Sequence, residues 1–158
     1  MILVALGTQD KSFVRILEMV EELLERKIIK EEVYVQAGYT KFESKYMKIF
    51  DYLDMSKYER LLQECDVLIS HGGVGTIVAA IKDGKKVIGV PRLAIYHEHH
   101  NDHQLEIIEN FTKQGYILSA NNVDELADAI ENIKTFKPNK FVSNNDRFVA
   151  LIRKEIIG

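Results

Sequence analysis

Short, fully apolar runs alternate along the chain with longer amphipathic stretches. The first run, Ile2–Leu6, ends in Gly7, as a strand buried on both faces would end. Between residues 13 and 24, apolar side chains recur every three or four positions with glutamates between them, which predicts an amphipathic helix. Further strands are predicted at Val33–Val35, Ile49–Leu53, Val67–Ile69, Val87–Val90 and Tyr116–Leu118. This alternation predicts an α/β fold in which helices cover both faces of a parallel sheet.

The chain has 158 residues, the length of one ordinary domain. We expect residues 1–134 to form the ligand-binding part of that domain. Residues 135–158 would add a polar linker and a C-terminal amphipathic helix to the same domain. The apolar stripe of that helix consists of Phe148, Leu151, Ile152 and Ile156.

Composition narrows the class of protein. There are 21 Lys and Arg and 24 Asp and Glu, a net charge of −3, which argues against a nucleic-acid-binding domain. The single cysteine, Cys65, excludes an internal disulfide and a multi-cysteine zinc site. No apolar run approaches the ~18 residues of a membrane span, so we expect a cytoplasmic protein. Residues 134–158 hold six basic and two acidic residues, which suits an anionic membrane, an acidic partner or simply a solvated helix face.

Glycines with polar neighbours follow three of the predicted strands, at Gly7–Thr8, Gln36–Gly38 and His71–Thr76. In parallel sheets, ligands bind where strands end and helices begin, so we expect the three segments to meet in one crevice. The third segment carries Gly72, Gly73 and Gly75, which let backbone N–H groups approach a ligand. The helix that follows offers its positive end to an anion, and Thr76 adds a hydroxyl.

The glycine segment therefore predicts a phosphate or diphosphate site, although a tight turn that needs glycine only for packing is the plain alternative. A dinucleotide-binding fingerprint fits poorly. Its third glycine would fall at Val78, and Pro91–Arg92 stands where an acidic residue should follow the next strand.

A second polar cluster, residues 97–104, holds four of the five histidines. A metal site there would need Glu98 and Asp102 to complete its ligands. A helix start capped by Asn101 or Asp102 is the simpler explanation. Asp102 and Gln104 would also suit the vicinal hydroxyls of a sugar, because together they donate and accept hydrogen bonds. We expect no bound metal.

Three segments in combination resemble the C-terminal domain of glycosyltransferase family 28: Asp66–Thr76, Val90–Arg92 and Asn101–Gln104. The resemblance covers roughly residues 1–133. It is closest to members whose donor-binding half is a separate polypeptide. These are the soluble subunit of the dolichyl-diphosphate N-acetylglucosaminyltransferase and similar subunits of bacterial capsule and exopolysaccharide synthesis. The resemblance implies a Rossmann-like domain that forms one half of a GT-B glycosyltransferase.

The family implies a UDP-sugar as donor substrate, with no further cofactor. By position, His71–Thr76 would hold the diphosphate, Arg92 would add a cation near it, and Asp102 and Gln104 would bind sugar hydroxyls. The full set of implied donor-binding residues is Gly7, Thr8, Gln36, Gly38, His71, Gly72, Gly73, Gly75, Thr76, Arg92, Asn101, Asp102 and Gln104. One departure concerns the ribose, because the glutamate that many members use is replaced here by Ala79.

The function that the resemblance implies is transfer of a hexose to a polyprenyl-diphosphate-linked sugar in surface polysaccharide or glycolipid synthesis. The sequence has no Walker A motif, nucleophile elbow or obvious carboxylate pair, and its length supplies one of the two domains of such an enzyme. We therefore expect the acceptor site in a membrane-anchored partner subunit, which recruits the chain to the inner face of the membrane. Residues 144–157 would dock on that partner, or else pack on their own sheet. The alternatives are a nucleotide-sugar-binding module without transferase activity and, less well supported, a dinucleotide-dependent oxidoreductase domain.

Overall fold

The computed structural model describes residues 1–52 and 54–141. Within them, the apolar runs form six parallel strands of a single sheet. The strands are β1 (Ile2–Ala5), β2 (Val33–Gln36), β3 (Lys48–Phe50), β4 (Val67–Ser70), β5 (Lys86–Gly89) and β6 (Leu118–Ser119). Their order across the sheet is β3-β2-β1-β4-β5-β6. The strand order reverses between β1 and β4, and open α/β sheets bind ligands at such a switch point.

The amphipathic stretches form the helices that connect these strands. They are α1 (Val14–Glu25), α2 (Met55–Glu64), α3 (Val74–Lys82), α4 (His103–Lys113) and α5 (Val123–Ile133), and a 3-10 turn lies at Ala94–Tyr96. Side chains cap two of them: Asp54 accepts a hydrogen bond from the backbone of Lys57, and Asn122 accepts one from Glu125. Such caps satisfy N–H groups that have no partner inside the helix.

The sheet is buried on both faces, as its fully apolar strands predict. Along β1, Ile2 and Val4 belong to the cluster that α1 and α5 cover, whereas Leu3 and Ala5 belong to the cluster that α3 and α4 cover. Successive side chains of a strand point to opposite faces, so both sets are removed from water. The prediction of a parallel sheet covered on both faces is confirmed.

Four strands match their predicted bounds to within one residue at each end, and two differ by more. Strand β3 ends at Phe50, short of the predicted Ile49–Leu53, because its ladder partner β2 ends at Gln36 and the chain then turns at Gly38 with a φ of 59°. The last residue of the predicted strand, Leu53, lies outside the described residues.

Strand β6 begins at Leu118, whereas Tyr116–Leu118 was predicted. The backbone N–H of Tyr116 donates to the carbonyl of Phe111, and the two rings pack with centroids 6.1 Å apart. Tyr116 therefore closes the end of α4. An apolar residue stands at this position because it packs at the end of the helix, and Tyr116 does not belong to the strand.

The described chain ends beside the same helix. Asn139 donates from its backbone to the carbonyl of Gly115, and the ring of Phe141 packs on Tyr116 at 5.4 Å. The predicted apolar stripe from Phe148 to Ile156 lies outside the described residues. No helix in the described part of the chain combines the length and apolarity needed to cross a bilayer.

Candidate functional site

The loops after β1 and β2 are tied together by one side chain. The amide of Gln36 accepts a hydrogen bond from the backbone N–H of Gly7 and donates one to its carbonyl, both at 3.1 Å. Gly7 has a φ of +78°, and its carbonyl lies 2.9 Å from where a Cβ of Gly38 would stand. Gln36 therefore fixes the backbone of the first loop. The absence of a side chain on Gly38 lets the two loops approach each other this closely.

The loop after β4 packs against the first loop through His71. A Cβ at Gly7 would lie 2.5 Å from Nε2 of the His71 ring, and a Cβ at Gly73 would lie 2.4 Å from its Cε1. Real side chains do not approach so closely, so the ring occupies the space that two glycines leave. The three glycine-bearing segments thus meet at the switch point between β1 and β4, as the sequence predicted.

Helix α3 begins at this meeting point without a capping side chain. Its N-cap is Gly73, and no acidic residue lies in its first turn. The N–H groups of Val74, Gly75 and Thr76 therefore have no partner within the helix. Gly75 is exposed, and a Cβ there would meet nothing within 4 Å. A helix start of this kind favours anions, because its N–H groups and the helix dipole both attract negative charge. Ala79, at the position of the implied ribose contact, is also exposed.

Gln104 supports the glycine loop from behind. Its Oε1 accepts hydrogen bonds from the backbone N–H groups of Gly72, at 2.9 Å, and Arg92, at 3.2 Å, and its Nε2 lies 3.2 Å from Nδ1 of His71. The side chain is 1% exposed. In the structure, Gln104 holds the glycine loop in place. A contact between Gln104 and sugar hydroxyls stays a prediction.

Arg92 is a buried cation that ties three backbone segments together. It is 1% exposed and donates to the carbonyls of Leu6, Lys11 and Glu98 at 2.7–3.0 Å. Its guanidinium also lies over the ring of Phe13, 5.0 Å from the centroid. Burial lowers the pKa of Arg92 to about 10, so the group is still charged at neutral pH. A contact of Arg92 with phosphate oxygens stays a prediction.

An ion pair that the sequence did not indicate holds the loop between β5 and α4. The carboxylate of Glu98 accepts from Nε and Nη2 of Arg15, both at 3.1 Å, and also from the backbone N–H of Leu93 at 3.0 Å. Arg15 in turn donates to the carbonyls of Pro91 and Asn121. Glu98 lies among histidines, where its pattern suggests only a metal ligand, and nothing in the sequence points to a partner 83 positions away.

Replacing Glu98 with glutamine is expected to lower the free energy of unfolding by about 2 kcal/mol. Breaking a buried ion pair costs ~3–5 kcal/mol, and the partial exposure of Arg15 reduces that cost. Urea denaturation measures the change. Glu18→Gln, at an exposed position of α1, is the matched control and should stay within about 0.5 kcal/mol of the parent. Equal stability of the two variants would show that the pair does not hold the loop.

The remaining predicted site residues lie around the start of α4 and the first loop. The side chain of Asn101 accepts from the backbone N–H of His103 at 2.9 Å. Asp102 stands at the N-cap position without capping the helix, because its carboxylate accepts from the backbone N–H of Ala94 at 2.8 Å. Thr8 is exposed beside Gly7. Asn101 therefore serves the helix start, and Asp102 holds the preceding 3-10 turn.

The histidine-rich segment is not gathered around one point. Among the residues that the structure describes, no three His, Cys, Asp or Glu side chains are placed to hold a metal ion. The rings of His99 and His100 stack with centroids 4.4 Å apart, and burial lowers the pKa of His99. The absence of a metal from the protein itself stays a prediction.

Comparison with known proteins identifies the fold. The model of the glycosyltransferase family 28 C-terminal domain matches residues 1–156. The chain belongs to this family. The family resemblance and the Rossmann-like α/β fold expected from the sequence are thereby confirmed.

Among curated proteins, the UDP-N-acetylglucosamine transferase subunit ALG13 of Candida glabrata is 39% identical over 70 residues, which are 44% of this chain. This chain spans 33% of that relative. The glycotransferase of kitacinnamycin superposes with a TM-score of 0.64 at 16% identity, over 98% of this chain and 37% of the other. The solution structure of ALG13 superposes with a TM-score of 0.61 at 19% identity, over 99% and 96% of the two chains. At these identities the two structures share the fold.

Proposed function

We propose that the chain is the donor-binding part of a glycosyltransferase that uses a UDP-sugar. The observation that carries the proposal is the meeting of two hydrogen-bond donor groups at the switch point. The N–H groups at the start of α3 have no capping side chain, and Nε2 of His71 is buried without a hydrogen-bond partner in the described structure. Buried polar atoms are normally paired, so unpaired ones where the three loops meet favour a ligand that supplies acceptors.

A diphosphate suits this arrangement better than a single carboxylate. Its negatively charged oxygens can accept from several backbone N–H groups at once, and the helix dipole favours their charge. The uridine part of the proposal rests on family membership and on the name of the relative, a UDP-N-acetylglucosamine transferase subunit. The sugar is a hexose of unspecified identity, N-acetylglucosamine included.

We further propose that the catalytic base and the acceptor site belong to a separate, membrane-anchored subunit. Burial and the nearby charge of Arg92 lower the pKa of His71 to about 3, so this ring is a poor general base at neutral pH. The carboxylate of Glu98 is engaged by Arg15. The partner would bind the polyprenyl-diphosphate-linked sugar and bring this chain, otherwise cytoplasmic, to the inner face of the membrane.

Calorimetric titration tests the donor site directly. We expect UDP and at least one of its glucose, galactose, glucuronic acid and N-acetylglucosamine conjugates to bind, and GDP to bind more weakly. A chain that binds NAD and not UDP would contradict the proposal and support an oxidoreductase domain. A chain that binds a UDP-sugar and promotes no transfer with membranes that contain its partner would be a binding module.

Removal of the segment after Phe141 should separate donor binding from transfer. The cut preserves Asn139 and Phe141, which pack on the end of α4. We expect the shortened chain to fold, by circular dichroism, and to bind UDP as the parent does. It should lose capture of the partner and transferase activity, because residues 144–157 are proposed to supply the docking helix. Full activity with the partner, or loss of the fold, would contradict this role for the tail.

A further inference from the structure

The side-chain amide of Gln104 can take only one orientation. One end of it faces the backbone N–H groups of Gly72 and Arg92, at 2.9 and 3.2 Å. Both of these groups are donors, so the atom that faces them must be the oxygen. The NH₂ group therefore faces Nδ1 of His71, at 3.2 Å.

That orientation fixes the tautomer of His71. An amide NH₂ group only donates, so Nδ1 must carry a lone pair, and the proton of the neutral ring resides on Nε2. Nε2 lies between Gly7 and Gly73 and is buried without an acceptor in the described structure. The ring thus offers an N–H group at the point where the two glycine loops meet.

We propose that Gln104 is a positioning residue, which fixes His71 as a neutral Nε2–H donor for an oxygen of the donor diphosphate. The inference rests on the proposed function and adds a role that recognition of sugar hydroxyls does not require. By holding Gly72 and the His71 ring with one amide, Gln104 couples the position of the loop to the protonation state of the ring. If the amide of Gln104 were replaced by a group that only accepts hydrogen bonds, the loop would still be held. The proton of the His71 ring would then move from Nε2 to Nδ1.

The neutral form of His71 should persist over the physiological pH range. The charged and titratable groups that act on the ring are the guanidinium of Arg92 and the ring of His99. Both disfavour a positive charge on His71. Burial acts in the same direction and is the largest cause, so that the pKa is lowered to about 3. Donation from Nε2 is therefore expected to be independent of pH between about 5.5 and 8.

Nitrogen-15 NMR of the full chain decides the tautomer without any ligand. We expect His71 to show a protonated Nε2 and an unprotonated Nδ1, without titration between pH 5.5 and 8. A proton on Nδ1, or titration near the ordinary pKa of histidine, would overturn the inference even if UDP binds. Addition of UDP should move the Nε2–H proton resonance downfield, and an unmoved resonance in a UDP-saturated protein would also overturn it.

Gln104→Glu distinguishes positioning of the ring from support of the loop. The carboxylate still accepts from Gly72 and Arg92, but its charge repels UDP, so a purely structural role predicts a loss of affinity that does not depend on pH between 6 and 8. Positioning predicts a proton on Nδ1, a raised pKa for His71 and at least tenfold weaker UDP binding than the parent at pH 8. That ratio should fall at pH 6, where both ring nitrogens become protonated. Gln63→Glu, on the exposed face of α2, makes the same charge change and should stay within twofold of the parent.

The two proposals fail in different ways. If the parent does not bind UDP, the proposed function fails, while the tautomer is still decided by the spectra. If the parent binds UDP and Gln104→Glu loses as much affinity at pH 6 as at pH 8, the positioning role fails and the donor site stands. A Gln104→Glu chain that does not fold leaves the decision to the spectra of the parent with and without UDP.

Discussion

Replacement of Arg92 by methionine is expected to lower the free energy of unfolding by about 3–5 kcal/mol. Methionine fills much of the space of the arginine stem but donates no hydrogen bond. The carbonyls of Leu6 and Glu98 would lose their donor in the protein interior, and the carbonyl of Lys11 would lose a partly buried one. A buried polar group left without a partner costs ~1–3 kcal/mol, and these three are partly redundant because relaxation can re-pair some of them.

Urea denaturation of the Arg92→Met protein measures the loss. Arg26→Met provides the control, because Arg26 is half-exposed and, among the described residues, its side chain pairs with Glu22 four positions earlier. Such surface pairs contribute ~0–1 kcal/mol, so this variant should be nearly as stable as the parent. If Arg92→Met keeps parental stability but loses affinity for UDP, the guanidinium binds the phosphates, as the family resemblance implies. The proposal that Arg92 stabilises the fold through backbone carbonyls would then be wrong.

The fold could be predicted because burial leaves a strong pattern in the sequence. The run Ile2–Leu6 has no polar residue, and the structure buries each of its members. Glycines at the ends of β1, β2 and β4 mark places where backbones approach each other closely. The convergence of the three loops follows from the geometry of a parallel sheet, since the carboxyl ends of its strands lie at one edge.

The tasks of individual polar side chains could not be predicted in the same way. Gln36 lies 29 positions from Gly7, Gln104 lies 33 from His71, and Arg92 lies 86 from Leu6. The atoms that suit an amide or a guanidinium to a sugar or a phosphate suit it equally to backbone N–H and carbonyl groups. Only the folded chain shows that these three side chains hydrogen-bond to their own protein.

Gly75→Val is expected to weaken UDP binding at least tenfold, or about 1.4 kcal/mol, without loss of stability. A side chain at this position of α3 enters open space, so the fold has no reason to change. Valine is also a slightly better helix former than glycine, by a few tenths of a kcal/mol. The branched side chain would, however, cover the free N–H groups of the first turn and keep a diphosphate at a distance.

The comparison with Gly73 makes this test specific. A Cβ at Gly73 would lie 2.4 Å from Cε1 of His71, so Gly73→Ala must displace a buried ring and should reduce stability as well as binding. Calorimetric titration with UDP and urea denaturation of both variants separate the two effects. Loss of binding alone in Gly75→Val places the diphosphate on the N-terminus of α3. Parental affinity in that variant would show that the anion lies elsewhere, because a bound diphosphate and a valine side chain cannot share the space above the first turn.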